Sequence, residues 1–202
     1  MKSDRRAPVL EIMNLVSREP EGIVITFASL AYNRSQGMAL PENSNIKFID
    51  FIRDKVWKQL RQVDTREIFE ETHQRWVQDL RTLLIQHNGS PISYGQGQKS
   101  LNVWLKFYVD WASLPETGVA ERLRPWLHCP LDSVVMGKMK DFYPDEYQAR
   151  IVPHYRRLGL AAQERHYLSK MDKELYFTWQ RWIREISPDK PLLVDLIWAF
   201  ER

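Results

Sequence analysis

Apolar residues recur every three or four positions along most of this chain, and this helical periodicity constrains the fold more than any other feature. After Pro41 the spacing predicts one helix, with Ser44 or Asn45 as its cap. A second helix is predicted to begin at Thr65 and to end at Asn88–Gly89. The apolar positions of these two helices are Ile49, Ile52, Val56, Leu60, Val63, Ile68, Phe69, Trp76, Leu80, Leu83 and Leu84.

The same pattern continues in the second half of the chain. Residues 99–111 are apolar on most sides, which is typical of a central, buried helix. Further helices are predicted from Pro130 to about Tyr143, from Gly159 to Ile186, and after Ser187–Pro188. Residues 23–25 are the only candidate for a strand. We therefore expect an all-α fold: a compact orthogonal bundle of about eight helices in a single domain, 1–202, with a possible subdomain boundary near 90–130.

Composition narrows the function classes without selecting one. The net charge is +3 and the pI about 8.9, which permits a local basic face but does not demand one. Cys129 is the only cysteine, and the five histidines lack metal-ligand spacing, so we expect no disulfide, no metal and no cofactor. No signal sequence or membrane span is predicted, which favours a cytoplasmic protein. The oligomeric state stays open.

Two short motifs carry the chemical interest of the chain. Gly95-Gln96-Gly97-Gln98-Lys99 precedes the apolar helix, and two glycines are typical of a tight, exposed turn. The second motif, His128-Cys129-Pro130-Leu131-Asp132, places a carboxylate at the start of another helix. Helix N-termini favour anions such as phosphate. If the two helix starts meet, Lys99 and Asp132 share one site.

These motifs resemble the lysine and aspartate signatures of the helix-hairpin-helix-GPD DNA glycosylases. The wide interval between Lys99 and Asp132 is most similar to the archaeal 8-oxoguanine glycosylase branch, and the resemblance covers roughly 94–139. The chain also resembles small bacterial helical proteins that share a Gly-Gln-x-Gln-Lys turn and a His-Cys-Pro-x-Asp turn. That second likeness implies no activity.

The glycosylase resemblance implies a mechanism on DNA. Lys99 would attack the sugar of a modified nucleotide and form a Schiff base, which leads to strand cleavage, and Asp132 would assist. A positive helix end and burial both favour the neutral amine that this attack requires. The turn residues Gly95, Gln96, Gly97 and Gln98 would bind phosphate. The base would leave its stack and enter an aromatic pocket; the candidate walls are Trp104, Trp111, Trp126 and Trp179.

Structural readings of the same residues remain open. Lys99 could be a solvated side chain, Asp132 a helix cap, and the glycines a simple chain reversal. Asn102 and Lys106 share a helical face with Lys99 and mark either a polar cleft or an exposed stripe. His128 and Cys129 are expected to be packing residues rather than a catalytic pair.

A separate basic segment could follow a phosphate backbone; its residues are Arg150, His154, Arg156 and Arg157. The alternative to an enzyme is a non-catalytic helical protein of a mobile element or defence system that binds nucleic acid or another partner.

Overall fold

The structure, a computed structural model, describes residues 20–35, 40–161 and 168–201. Within these ranges the regular structure is helical, with one isolated bridge between Ile85 and Pro91, so the all-α prediction is confirmed. In the described ranges no helix is both long enough and apolar enough to cross a bilayer.

The described residues of the first half of the chain form four α-helices. Helix α1 is Pro20–Ser35, so the segment predicted as a candidate strand is helical. Helices α2 (Ser44–Phe51) and α3 (Trp57–Leu60) are continuous through a π-helical turn, Ile52–Val56. Helix α4 is Arg66–Leu83. The Thr65 hydroxyl accepts a 3.2 Å hydrogen bond from the Ile68 amide, as the sequence predicts for a cap.

Six more α-helices lie in the described part of the second half. They are α5 (Tyr94–Leu105), α6 (Thr117–Leu123), α7 (Ser133–Phe142), α8 (Pro144–Arg150), α9 (Val152–Arg157) and α10 (Lys173–Ile186). A π-helical turn, Lys106–Trp111, extends α5. Three 3₁₀ segments are Arg124–Trp126, Leu168–Lys170 and Pro191–Glu201.

Helix α5 is the centre of the molecule, as its apolar sequence predicts. It packs against α1, α4, α10 and the segment Leu168–Lys170. Trp104 has no exposed surface, stacks on Tyr108, and donates a 3.4 Å hydrogen bond to the Val24 carbonyl of α1. Trp76 of α4 is equally buried, and its indole N–H donates to Gln59 Oε1. The central helix thus gives a rigid mount to any side chain at its surface.

Several boundaries differ from the sequence predictions, and helix α4 ends at Leu83 instead of the predicted Asn88–Gly89. The helix expected from Gly159 to Ile186 begins only at Lys173, where the Asp172 carboxylate caps it through the Leu175 amide. The expected final α-helix is the 3₁₀ segment Pro191–Glu201. Part of the first region, 162–167, lies outside the described residues.

Candidate active site

The segment 128–131 is non-helical and fully buried, so its backbone has no helical hydrogen-bond partners. Side chains supply the hydrogen-bond partners of this backbone instead. The Cys129 amide donates to Gln180 Oε1 at 3.1 Å, and Gln180 Nε2 donates to the Cys129 carbonyl at 2.8 Å. Gln98 Nε2 donates to the Leu131 carbonyl at 3.2 Å. The chain just before Asp132 is therefore fixed to both α5 and α10.

Asp132 is the N-cap of α7. Its backbone is extended, with φ −141° and ψ 178°, and its Oδ1 accepts hydrogen bonds of 3.0 and 2.9 Å from the Val134 and Val135 amides. This is the capping geometry that the sequence offered as one interpretation. Because both amides converge on Oδ1, the other oxygen, Oδ2, is directed to a different neighbour.

That neighbour is Lys99, whose Nζ lies 3.8 Å from Asp132 Oδ2. The two side chains retain 18% and 30% of their exposure, so the pair is partly shielded and still reachable from solvent. Gln98 and Leu131, the residues preceding each member of the pair, are joined by the hydrogen bond described above. The structure thus brings together the two residues that the sequence singled out, and it fixes the backbone beneath both.

The glycine motif is not the exposed turn that the sequence predicted. Ser93 and Gln96 form a capping box: the Gln96 amide donates to Ser93 Oγ at 3.0 Å, and the Ser93 amide donates to Gln96 Oε1 at 2.9 Å. Helix α5 consequently begins at Tyr94 and includes both glycines. Lys99 lies in the second turn of this helix, whereas the positive end of a helix acts mainly within its first turn.

Gly95 and Gly97 are buried rather than presented to a ligand. A Cβ added at Gly95 would lie 2.5 Å from the Leu168 carbonyl oxygen and 2.7 Å from Met171 Cβ. The Gly95 amide donates to the Met171 carbonyl at 3.2 Å. The missing side chain at Gly95 therefore serves close packing of α5 against 168–171, and Gln98, also buried, bonds protein carbonyls rather than phosphate.

Below the Lys99–Asp132 pair runs a chain of buried hydrogen bonds. Asn102 is its branching point: its amide nitrogen donates to Gln98 Oε1 at 2.9 Å and to the Tyr176 hydroxyl at 3.0 Å. Tyr176 lies 2.6 Å from His128 Nδ1, and His128 Nε2 lies 2.9 Å from Glu70 Oε2. His73 Nε2 lies 2.7 Å from Asn102 Oδ1.

One proton arrangement satisfies this chain. His128 Nε2–H donates to the Glu70 carboxylate, which leaves Nδ1 to accept from the Tyr176 hydroxyl. His73 Nε2–H donates to Asn102 Oδ1, since the Asn102 nitrogen already donates twice. Both histidines are then neutral, and His73 Nδ1 is left without a partner among the described residues. We name these groups the buried polar chain: Glu70, His73, Gln98, Asn102, His128 and Tyr176.

The pKa values agree with neutral rings. Burial and the neighbouring His128 lower the pKa of His73 from 6.5 to about 3. Burial also lowers the pKa of His128, although the hydrogen bond to Glu70 opposes this effect. Burial alone would raise the pKa of Glu70, but its contacts with His128 and Arg184 bring it below the ordinary value. Glu70 is therefore the charged end of the buried polar chain.

The basic segment at 150–157 is largely neutralised. Arg150 Nη1 lies 2.7 Å from Glu185 Oε2. Arg157 contacts Asp172 and Glu174 of the α10 start, and His154 Nδ1 lies 3.7 Å from Glu174 Oε1. Arg156 is exposed. Arg150, His154 and Arg157 therefore lie against acidic residues instead of forming a free basic surface.

The four tryptophans predicted to line a base pocket do not gather around one cavity. Trp104 and Trp179 have no exposed surface, and Trp179 stacks on Trp182 and contacts the tilted ring of Tyr147. Trp111 is 60% exposed and packs on Phe107 and under Lys106 Nζ. The half-buried Trp126 contributes its carbonyl to the Arg184 guanidinium. In this structure neither Trp104 nor Trp179 presents a ring face to a ligand.

Sequence reasoning missed most of the buried polar chain. Glu70 and His73 lack the sequence spacing of metal ligands, so the sequence assigns them no role. His128 is predicted to be only a packing residue. Asn102 and Lys106, which share a face with Lys99, are both buried instead of forming an exposed stripe. A signal was present: Gln98 and Asn102 are four residues apart on a helix that is otherwise apolar, and buried polar groups require partners.

In residues 20–35, 40–161 and 168–201, no three His, Cys, Asp or Glu side chains are placed to hold a metal ion. No family model, curated protein or solved structure matches the chain. The function is therefore inferred from the geometry of the residues themselves.

Proposed function

We propose that this protein acts on DNA as a base-excision glycosylase with a lyase step, with Lys99 as the nucleophile and Asp132 as its carboxylate partner. The observation that carries the proposal is the 3.8 Å approach of Lys99 Nζ to Asp132 Oδ2 from positions far apart in sequence. Partial exposure of both side chains leaves the amine within reach of a sugar carbon while limiting its hydration.

The chemistry follows from the roles of the two groups. Asp132 Oδ2 takes a proton from the Lys99 ammonium, and the neutral amine forms a bond to the sugar C1′. The bond from C1′ to the base breaks as this bond forms, and its electron pair leaves on the base. The C1′–O4′ bond then breaks and a proton passes from the Lys99 nitrogen to O4′, which leaves a protonated Schiff base between Lys99 and C1′. Loss of a proton from the adjacent carbon expels the 3′ phosphate and cleaves the strand.

The rest of the site supports positioning. Asp132 Oδ1 is occupied by two backbone amides, which fixes the carboxylate and leaves Oδ2 available. The Gln98–Leu131 hydrogen bond holds the two backbones together, and the buried polar chain fixes Gln98 from below through Asn102. A nucleophile and its proton acceptor require side chains that are fixed in position in this way.

Borohydride trapping tests the proposal. The protein is incubated with oligonucleotides that carry an abasic site or 8-oxoguanine, and the Schiff base is reduced to a stable covalent adduct. We expect an adduct for the natural chain and none for Lys99→Arg, which keeps the positive charge beside Asp132 but cannot form the Schiff base. Lys58→Arg, at an exposed lysine, is the matched control and should trap normally. An adduct of full yield from Lys99→Arg, or none from the natural chain, contradicts the assignment.

A second candidate is a non-catalytic helical protein that binds nucleic acid. The observation that favours it is the burial of Gly95 and Gly97 within α5, which removes the phosphate-gripping turn of the glycosylase resemblance. Under this alternative, Lys99 and Asp132 form a surface ion pair beside a helix cap. Binding of DNA without any trapped adduct selects this alternative over the enzyme.

A further inference from the structure

Two depressions adjoin on one face of the protein, where α4 and the loop after it meet the start of α10. The first, of about 360 Å³, is bordered by Arg81, Tyr94, Lys170 and Lys173. The second, of about 440 Å³, is bordered by Arg75, Gln78, Tyr94 and Lys173. Since Tyr94 and Lys173 belong to both, the two depressions form one continuous groove, which we call the α4–α10 groove.

The groove carries an excess of positive charge. Among the described residues that border it, the cations are Arg75, Arg81, Lys170 and Lys173 and the carboxylates are Glu71 and Asp172, so four positive and two negative groups leave +2. Asp172 is already paired with Arg157 at 2.5 Å. None of the four cations has a carboxylate within ion-pair distance in the part of the chain that the structure describes. This differs from the 150–157 segment and from α2–α3, where Arg53, Lys55 and Arg61 all have acidic partners.

The guanidinium groups are held in place by neutral partners. Arg81 Nε donates to the Ile92 carbonyl at 3.1 Å and Nη1 donates to Gln78 Oε1 at 3.0 Å, while Arg75 Nη2 donates to Thr72 Oγ1 at 3.0 Å. These bonds order the side chains without neutralising them, which is the state in which arginine binds phosphate. Arg75 and Arg81 are six residues apart on one helix, about 9 Å along its axis, so they can contact different phosphates of one strand.

Tyr94 borders both depressions and is nearly buried. Tyr94 is 2% exposed, and its hydroxyl has no hydrogen-bond partner among the described residues. Tyr94 is also the first residue of α5, and Lys99 follows five residues later, about 7.5 Å along the helix axis.

We infer that the α4–α10 groove binds the phosphodiester backbone of single-stranded DNA. The inference rests on the proposed function for its choice of DNA as the polyanion, while the groove itself is defined by its charges. Among the described residues that border it, the groove has no exposed aromatic ring for stacking, so we expect recognition by phosphate contacts that is independent of sequence.

Fluorescence anisotropy with a labelled oligothymidine that carries no lesion measures this binding. The double variant Arg81→Gln/Lys173→Gln removes two groove charges, and Lys58→Gln/Lys190→Gln removes two exposed charges that border neither depression. We expect binding about tenfold weaker for the groove variant, with the slope of log K against log salt smaller by about 1.4, since each lost phosphate contact on a single strand removes about 0.7. The control variant should keep the slope of the natural chain.

Three results overturn the inference: no binding by the natural chain, equal weakening in the two variants, and polyglutamate bound as tightly as DNA with the same loss in the groove variant. Thermal unfolding of both variants shows whether each retains its fold. The groove and the chemistry fail in different ways. Salt-dependent binding that needs Arg81 and Lys173 supports the groove. If the same protein gives no covalent adduct, the nucleophilic role of Lys99 is contradicted. An adduct that forms equally in the groove variant contradicts the DNA-binding role of the groove and supports Lys99 as the nucleophile.

Discussion

The imidazole rings of His73 and His128 lie 4.4 Å apart between centroids, and both are fully buried without sharing a hydrogen bond. Each ring uses its Nε2–H for a different partner, Asn102 for His73 and Glu70 for His128. A proton added to His73 would place a second N–H at a site with no acceptor and beside another ring. The native fold therefore requires both rings to be neutral.

This requirement predicts that the protein loses stability as the pH falls below 6.5. Unfolded histidines take up protons there, whereas the native His73, with a pKa of about 3, does not. The unfolded state therefore binds more protons, and each buried histidine lowers the unfolding free energy by up to about 1.4 kcal/mol per pH unit. Urea unfolding between pH 7 and 5, above the usual range of carboxyl groups, measures this slope.

The variant His73→Gln should reduce that slope by about one proton, whatever it does to stability at pH 7. His87→Gln, at an exposed histidine, is the control and should leave the slope unchanged. A slope that is the same for His73→Gln and the natural chain would show that His73 is protonated in the native state.

Gly95 and Gly118 are both helical glycines, but they should respond oppositely to alanine. At Gly95 the new Cβ meets the Leu168 carbonyl and Met171 Cβ, so Gly95→Ala forces α5 away from 168–171 and should cost about 1–3 kcal/mol. At Gly118 nothing lies within 4 Å of the new Cβ, so Gly118→Ala should stabilise the protein by about 0.4–1 kcal/mol. Chemical unfolding of the two variants measures both changes, and a neutral Gly95→Ala would contradict the close packing.

The two glycines also show what a sequence can and cannot predict here. Amphipathic spacing located α4, α5 and α7, and the caps at Thr65 and Asp132 were readable because they depend on neighbours three residues away. Gly95 was misread because its role depends on Leu168 and Met171, which are distant in sequence. Local composition cannot distinguish a glycine that turns the chain from one that allows close packing.

The candidate site divides in the same way. The Lys99–Asp132 pair could be predicted because each residue starts or follows a recognisable helix signal, and the resemblance linked them. The chain of hydrogen bonds below them could not be predicted from the sequence, because it joins α4, α5, the segment 128–131 and α10. Such a network becomes visible only when the tertiary arrangement is known, since each of its polar residues reads locally as an ordinary helix position.

Substitutions at Asp132 should separate its capping role from its charge. Asp132→Ala removes the acceptor of the Val134 and Val135 amides and should destabilise the protein by about 1 kcal/mol. Asp132→Asn keeps a good cap, so its stability should stay within about 0.5 kcal/mol of the natural chain, while the carboxylate beside Lys99 is lost. Thermal unfolding and borohydride trapping on both variants make the comparison. If Asp132→Asn traps at the natural rate, the charge has no part in the reaction.

Lys106 and Asp195 form a nearly buried ion pair that joins the π-helical turn after α5 to the C-terminal 3₁₀ segment. Their side chains retain 10% and 15% of their exposure, and Lys106 Nζ also lies 4.9 Å from the Trp111 ring centroid. Removing one member leaves an uncompensated charge, so Lys106→Met alone should cost about 3 kcal/mol, and Asp195→Leu alone a similar amount. The double variant should recover most of that loss, because two apolar side chains replace the pair without leaving a charge behind. Urea unfolding of all four proteins closes the double-mutant cycle, and single losses that simply add in the double variant would show that the two charges do not interact.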